Sequence, residues 1–367
     1  MVVNRADHNI FPGDEMVCHL FRLPDNPDES NVTRLIPSAV ARGDRFISAF
    51  VLKTTESIHW SGTGKLRGGR SGIWFFLTVL RLLGLRFTYF LLPPVALYFS
   101  FMSPDVAATM DYHRRIFGVV PFWKRRWLVF RHFLSFGCAI IDRVAILAGQ
   151  TEKFSFSFDG EHYVRKAVAE GKGVLLLTAH IGNWEAAGQL LTRLDVPINV
   201  TGFDNESEEI RDLLQKSSKA KFRLLPLTGS PTDAIPLVAA LRRGEIVAML
   251  GDRAYGSPAV RIPFLGSEAS FPIGGYMMAS LAGAALVTVF NLRERGGHYR
   301  FYGFPPLHPA MPNHSERGAY LQDCAAQFAR QLESIVKIDP LQWYNFYPFW
   351  EETKPRNSRK TSDEPRA

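Results

Sequence analysis

His180 and Glu185 carry the clearest chemical signal in this chain, with four residues between them. A turn of that length can fold the carboxylate back onto the imidazole. The carboxylate would then fix the ring tautomer, leaving the other nitrogen to take a proton from an attacking hydroxyl. A second charged pair, Asp252-Arg253, directly follows an apolar run. A guanidinium there suits a phosphate or another polar headgroup, with the aspartate orienting it. Together with Asn183, these two form the expected substrate-binding set. The chemistry excludes two common designs, because the chain has neither a G-x-S-x-G elbow nor an H-E-x-x-H zinc motif. A metal-dependent hydrolase using His180, Glu185 and Asp252 remains as an alternative, as does a non-catalytic membrane-binding protein.

The segment that must position His180 reads GKGVLLLTAHIGNWE, from Gly171 to Glu185. Gly171-Lys172-Gly173 closes a preceding helix, and Val174 to Leu177 is an apolar run of buried-strand length. Thr178 to Asn183 forms the turn, and a helix begins near Trp184. His180 therefore stands at the carboxyl end of a strand, the edge where open α/β sheets place their ligands. Without such a setting, the pair would be a histidine closing a strand and a glutamate favoured by a helix dipole.

The same alternation continues along the chain. Strands are expected at 154–158, 198–201, 223–227, 246–250 and 286–291, and helices at 206–219, 231–244, 275–283 and 316–337. Asp159 is expected to cap a helix running to Glu170. This rhythm predicts an α/β fold with a largely parallel central sheet flanked by helices. The turns after Leu177 and Leu250 should face one cleft, because parallel strands end on the same side.

The string His180-Ile181-Gly182-Asn183-Trp184-Glu185 after an apolar strand resembles the H-x-x-x-x-E signature of the lysophospholipid acyltransferase superfamily, in particular its lipid A biosynthesis branch. The segments 262–266 and 271–275 and the aromatic stretch 342–350 resemble the family as well. The resemblance covers roughly residues 72–350. It implies a glycerolipid acyltransferase-like fold and a membrane-bound enzyme that moves a fatty acyl group from a thioester to a hydroxyl. His180 would be the general base and Glu185 its partner. The donor would be acyl carrier protein or acyl-coenzyme A, the acceptor a lipid or glycolipid, and no cofactor is implied. The implied location is the cytoplasmic face of the bacterial inner membrane. One departure bears on the acceptor. Where many lipid A enzymes carry a Tyr-Arg-Pro-like stretch, this chain has Thr201-Gly202-Phe203-Asp204-Asn205, without the arginine. A different acceptor, such as a polyene lipid, is therefore an alternative.

Composition bounds the rest. The chain has 367 residues, 46% of them hydrophobic, enough for one large core or two smaller ones. Cys18, Cys138 and Cys324 are scattered and odd in number, with no C-x-x-C, which argues against a disulfide framework or zinc site and fits a reducing compartment. The net charge is +8, and it is concentrated between Trp60 and Arg131, where eleven lysines and arginines oppose two aspartates. Those bases flank the most apolar stretch of the chain. That pattern points to an anionic membrane surface rather than to nucleic acid. The longest uncharged run, Phe87 to Pro104, contains Pro93-Pro94 and suits either one tilted span or two interfacial helices. The expected organisation is a poorly ordered extension over 1–58, a basic apolar membrane-associated helical segment over 59–104, an acyltransferase-like domain over 105–352 and a solvated tail over 353–367.

Overall fold

The computed structural model describes residues 69–183, 194, 196–203, 222–227, 230–254, 257–309, 313 and 315–350. The chain divides into two units, Met1–His59 and Trp60–Ala367, and every described residue lies in the second. The expected extension over 1–58, the helices after Trp184 and over 206–219, and the tail over 353–367 lie outside the described residues.

Four helices come first: α1 (Gly69–Phe90), α2 (Leu92–Met102), α3 (Val106–Phe117) and α4 (Phe122–Leu147). The apolar stretch is thus two helices rather than one. Gly84 breaks helical geometry inside α1 at φ 78°, and Thr78–Phe90 meets Leu92–Met102 at a 60° bend. Pro93 and Pro94 fall in the first turn of α2, where their missing N–H groups would have had no helical partner.

The remainder builds a seven-stranded sheet ordered β1-β9-β8-β2-β5-β3-β4. Its strands are β1 (Ser155–Asp159), β2 (Val174–Thr178), β3 (Ile198–Phe203), β4 (Phe222–Leu227), β5 (Ile246–Leu250), β8 (Ala285–Arg293) and β9 (His298–Gly303). The five strands β8, β2, β5, β3 and β4 are mutually parallel. Strand β9 runs antiparallel to β8 and carries β1 with it at that edge. Strands β6 (Ala259–Phe264) and β7 (Ser267–Pro272) form a separate antiparallel hairpin.

Strand β2 is central, which explains its unbroken apolar sequence: both faces must be covered. Leu175 and Leu177 enter one core with Leu237, Leu241, Phe290 and Phe328, beneath helices α6 (Ala234–Arg242), α7 (Gly274–Ala282) and α8 (Arg317–Ile338). Val174 and Leu176 enter the opposite core with Leu80, Ile146, Val164 and Val287, which brings in α1, α4 and α5 (Glu161–Ala169). Truncating either leucine to alanine removes contacts that commonly stabilise by about 2–5 kcal/mol.

One sequence expectation is corrected here. Asp159 does not cap a helix; it ends β1 and pairs with Arg300 at 3.2 Å, while α5 starts after Gly160 in a left-handed conformation. The period-two stretch HYRFYG is strand β9, and residues 262–266 and 271–272 belong to the β6–β7 hairpin, neither of which had been expected, while 274–275 open α7.

Candidate active site

The site is assembled at the carboxyl ends of β2 and β5, which are adjacent and in register, Thr178 opposite Leu250. The two turns expected to share a cleft are therefore neighbours. Gly251 N donates to Thr178 O at 2.8 Å, tying them together at the strand ends.

The turn after β2 is fixed from two sides. Gly182 adopts φ 60°, and a Cβ there would stand 2.1 Å from Asn291 O, so only glycine fits. Asn183 N donates to Asn291 Oδ1 at 2.8 Å, and Asn291 Nδ2 donates to Asn183 O at 2.9 Å. Asn183, expected to bind substrate, is itself buried and has this part in fixing the turn. From the other side comes the aromatic C-terminal strap. Ile181 and Trp343 form an antiparallel bridge, Gly182 N donates to Gln342 O at 2.9 Å, and Tyr344 N donates to His180 O at 2.8 Å.

Asp252 holds His180. Its Oδ1 lies 2.8 Å from His180 Nδ1, and its Oδ2 accepts from His180 N at 3.1 Å and from Trp343 Nε1 at 3.1 Å. Asp252 is completely buried, whereas the His180 side chain keeps 16% of its surface exposed. Burial alone would raise the Asp252 pKa. The facing imidazole, the His180 main-chain N–H and the nearby Arg253 charge override it and hold the carboxyl well below its usual range. An ionised carboxylate only accepts, so Nδ1 carries the proton and Nε2 is the nitrogen able to take one. The His180 pKa is lowered by burial first and by Arg253 second, with Asp252 opposing both. The downward shift favours the neutral ring, the state a general base requires.

This differs from the local reading of the sequence in one respect. Asp252 was expected to orient Arg253; instead it faces His180. Arg253 reaches over the strap, donating from Nη2 to Tyr344 O at 2.7 Å and lying 5.0 Å from the centre of the Tyr347 ring. His180 and Arg253 thus grip the same strap residue. Glu185 lies outside the described residues, so its pairing with His180 is not tested. Among the described residues, no group of three or more histidines, cysteines or acids could hold a metal ion.

A profile of the bacterial lipid A biosynthesis acyltransferase family matches residues 68–352. The chain belongs to this family. Proteins similar in sequence include a phosphatidylinositol mannoside acyltransferase of Mycobacterium tuberculosis, 25% identical over 194 residues, which are 52% of this chain and 58% of that one. They also include a lipid A biosynthesis acyltransferase of Haemophilus influenzae, 24% identical over 209 residues, 55% of this chain and 61% of that one. The matches therefore span about three fifths of the length of these relatives. Among solved structures, the 1-acyl-sn-glycerophosphate acyltransferase of Thermotoga maritima aligns over 68% of this chain and 98% of its own, with 12% identity and a TM-score of 0.34.

Proposed function

We propose that this protein transfers a fatty acyl group from a thioester to a hydroxyl of a glycolipid acceptor, with His180 as general base oriented by Asp252. The observation that carries the proposal is the 2.8 Å contact between His180 Nδ1 and Asp252 Oδ1 at the carboxyl ends of two parallel strands. In the reaction, Nε2 takes the proton of the acceptor hydroxyl as its oxygen attacks the thioester carbonyl. A C–O bond forms, the C–S bond breaks, and the departing thiolate recovers the proton from the imidazolium. Asp252 stabilises that imidazolium without being protonated. The donor is acyl carrier protein or acyl-coenzyme A, and Glu185 completes the H-x-x-x-x-E pair with His180. Arg253 is the anchor for a polar headgroup.

The acceptor reading takes its support from two sides. The family is described by lipid A, while the mycobacterial relatives are named for a mannosylated phosphoinositide. The missing arginine in the 201–205 stretch favours a glycolipid other than lipid A.

The reaction would take place at a membrane surface, on the cytoplasmic face of the inner membrane. Among the described residues no single helix is long and apolar enough to cross a membrane, but the bent α1–α2 pair passes by length and composition. Its outer face leaves Leu82, Phe90, Tyr98 and Met102 exposed beside exposed Arg81 and Arg86. The start of α4 continues it with Phe122 and Trp123, 68% and 74% exposed, next to exposed Lys124. Apolar groups mixed with bases are the pattern of an interfacial helix on anionic lipid.

Mass spectrometry of lipids from cells with and without the protein tests the activity. The expected result is a glycolipid heavier by one acyl unit, absent with His180→Ala, since losing a positioned base commonly costs about 10²–10⁴ in rate. An unchanged lipid profile, or transfer by folded His180→Ala protein at the parent rate, refutes the proposal. Membrane attachment is tested by a high-salt wash. The protein should stay with the membranes, and its recovery as a soluble monomer without detergent would contradict the docking face.

A further inference from the structure

We infer that Trp343 is a positioning residue for the base, its indole N–H holding the Asp252 carboxylate so that Oδ1 stays on His180. The inference rests on the reading of His180 as general base. Asp252 receives three donors: two belong to His180 itself, and the third is Trp343 Nε1, at 3.1 Å from Oδ2. The ring contact turns with the His180 side chain, and the main-chain N–H reaches Oδ2 from the same residue, so neither ties the pair to another part of the chain. Trp343 does. The indole N–H donates and never accepts. It therefore favours the ionised carboxylate and disfavours a rotated or protonated one.

Trp343 is itself immobilised. Its side chain is 1% exposed and meets the rings of Tyr112, Phe264 and Phe349 edge-on, at centroid distances of 5.0, 5.4 and 5.1 Å. Its main chain bridges to Ile181, one residue from the base. Its carbonyl oxygen lies 3.1 Å from His132 Nε2, and since a carbonyl only accepts, that nitrogen carries the proton. His132 Nδ1 must then accept from His113 Nε2, 3.0 Å away. Helices α3 and α4 are thereby linked through two buried imidazoles to the residue that steadies Asp252. A core tryptophan needs its rings for packing; the N–H aimed at a buried carboxylate is what a positioning role adds.

The test separates shape from hydrogen bonding. Trp343 is replaced by β-(3-benzothienyl)alanine, which keeps the two fused rings and puts sulfur in place of N–H, and in parallel by Trp343→Phe. Transfer into a total bacterial glycolipid extract is followed by mass spectrometry, using whichever of palmitoyl-coenzyme A and palmitoyl-acyl carrier protein the parent protein accepts. The sulfur variant should lose on the order of 10- to 100-fold in kcat with KM for the thioester unchanged, the effect of one hydrogen bond to a charged group. In an Asp252→Asn background the same replacement should change kcat less than about threefold, because no carboxylate remains for the N–H to hold on His180. A sulfur variant whose kcat stays within about twofold of the parent, while His180→Ala has lost transfer, overturns the inference. So does an undiminished loss in the Asp252→Asn background, which would mark a purely structural role. If the sulfur variant does not fold, folded Trp343→Phe decides by the same two comparisons; if neither folds, Trp343 is a core residue and the inference fails. His180→Ala protein that still transfers would remove the reading underneath, an outcome distinct from these.

Discussion

Asp142 and Asp252 are both completely excluded from solvent, yet their surroundings assign them opposite tasks. Asp142, on α4, accepts from Arg293 Nε at 2.6 Å, from Tyr299 Oη and from Tyr89 Oη. Those donors come from β8, β9 and α1, so the carboxylate ties α1 and α4 to the sheet. All of them are groups that stay protonated at neutral pH. Asp252 also accepts three hydrogen bonds, but two come from a histidine whose ring can change its charge and whose side chain reaches the surface. A buried carboxylate surrounded by permanent donors is structural; one aimed at a titratable ring at a strand end can serve chemistry. Burial alone does not distinguish them.

The comparison breaks most sharply with Asp→Asn at each position. Asp252→Asn should lower the rate of transfer by about 10²–10⁴ while the protein still folds, because an amide facing His180 Nδ1 favours the wrong tautomer. Asp142→Asn should instead cost about 3 kcal/mol of stability by leaving Arg293 without its counter-charge, with kcat of the folded fraction unchanged. That is the lower end of the usual range, since Arg293 keeps 24% of its side-chain surface exposed. Chemical denaturation and single-turnover assays on the same preparations read both. Equal effects on rate and stability at the two positions would dissolve the distinction.

Much of this was legible in the sequence, and what was not has a physical reason. His180 was legible because strand, turn and histidine are contiguous. The parallel sheet was legible from its alternation, and with it the shared edge of the turns after Leu177 and Leu250. The role of Asp252 was not, because its partner is 72 residues away and only the lateral order of strands makes β2 and β5 neighbours. Local reading gave Asp252 to Arg253, the nearest opposite charge. Trp343 was visible only as part of an aromatic terminus, since nothing in sequence says which acceptor an indole will meet. Strand β9 did carry a signal: Tyr299 and Phe301 alternate inward between half-buried neighbours.

A smaller effect sharpens the contrast from the side of the imidazoles. His180 can be protonated against Asp252, whereas His113, 2% exposed, packs on a second imidazole, and burial pushes its pKa down to about 4. Below the unfolded value of about 6.5, the unfolded chain binds a proton that the folded one refuses. Stability should therefore fall as pH drops from about 6.5 to about 4, by on the order of 3 kcal/mol from this group. His113→Phe should flatten that slope by about one proton, measured as the pH dependence of the denaturation midpoint. An unchanged slope would mean that the pair accepts a proton in place.

The smallest expected effect concerns Arg253, whose charge acts on Asp252 while its Nη2 donates to Tyr344 O. Arg253 contributes to lowering the His180 pKa, second to burial, while Asp252 opposes it. His180 acts as a base only when neutral, so a lowered pKa extends activity toward acid. Arg253→Ala removes one of the two lowering influences and should move the acid limb of the kcat/KM profile to higher pH. Arg253→Lys retains a positive charge and should move it less. Both lose the contact of Nη2 with Tyr344 O, and both should therefore lose about tenfold or less in rate at pH 7, the effect of a single hydrogen bond on the strap that borders His180. The two readouts separate charge from geometry: a charge effect follows the pH limb and spares lysine, whereas a strap effect lowers the plateau in both variants. An acid limb that moves down in Arg253→Ala would mean that the guanidinium does not act on His180 through its charge.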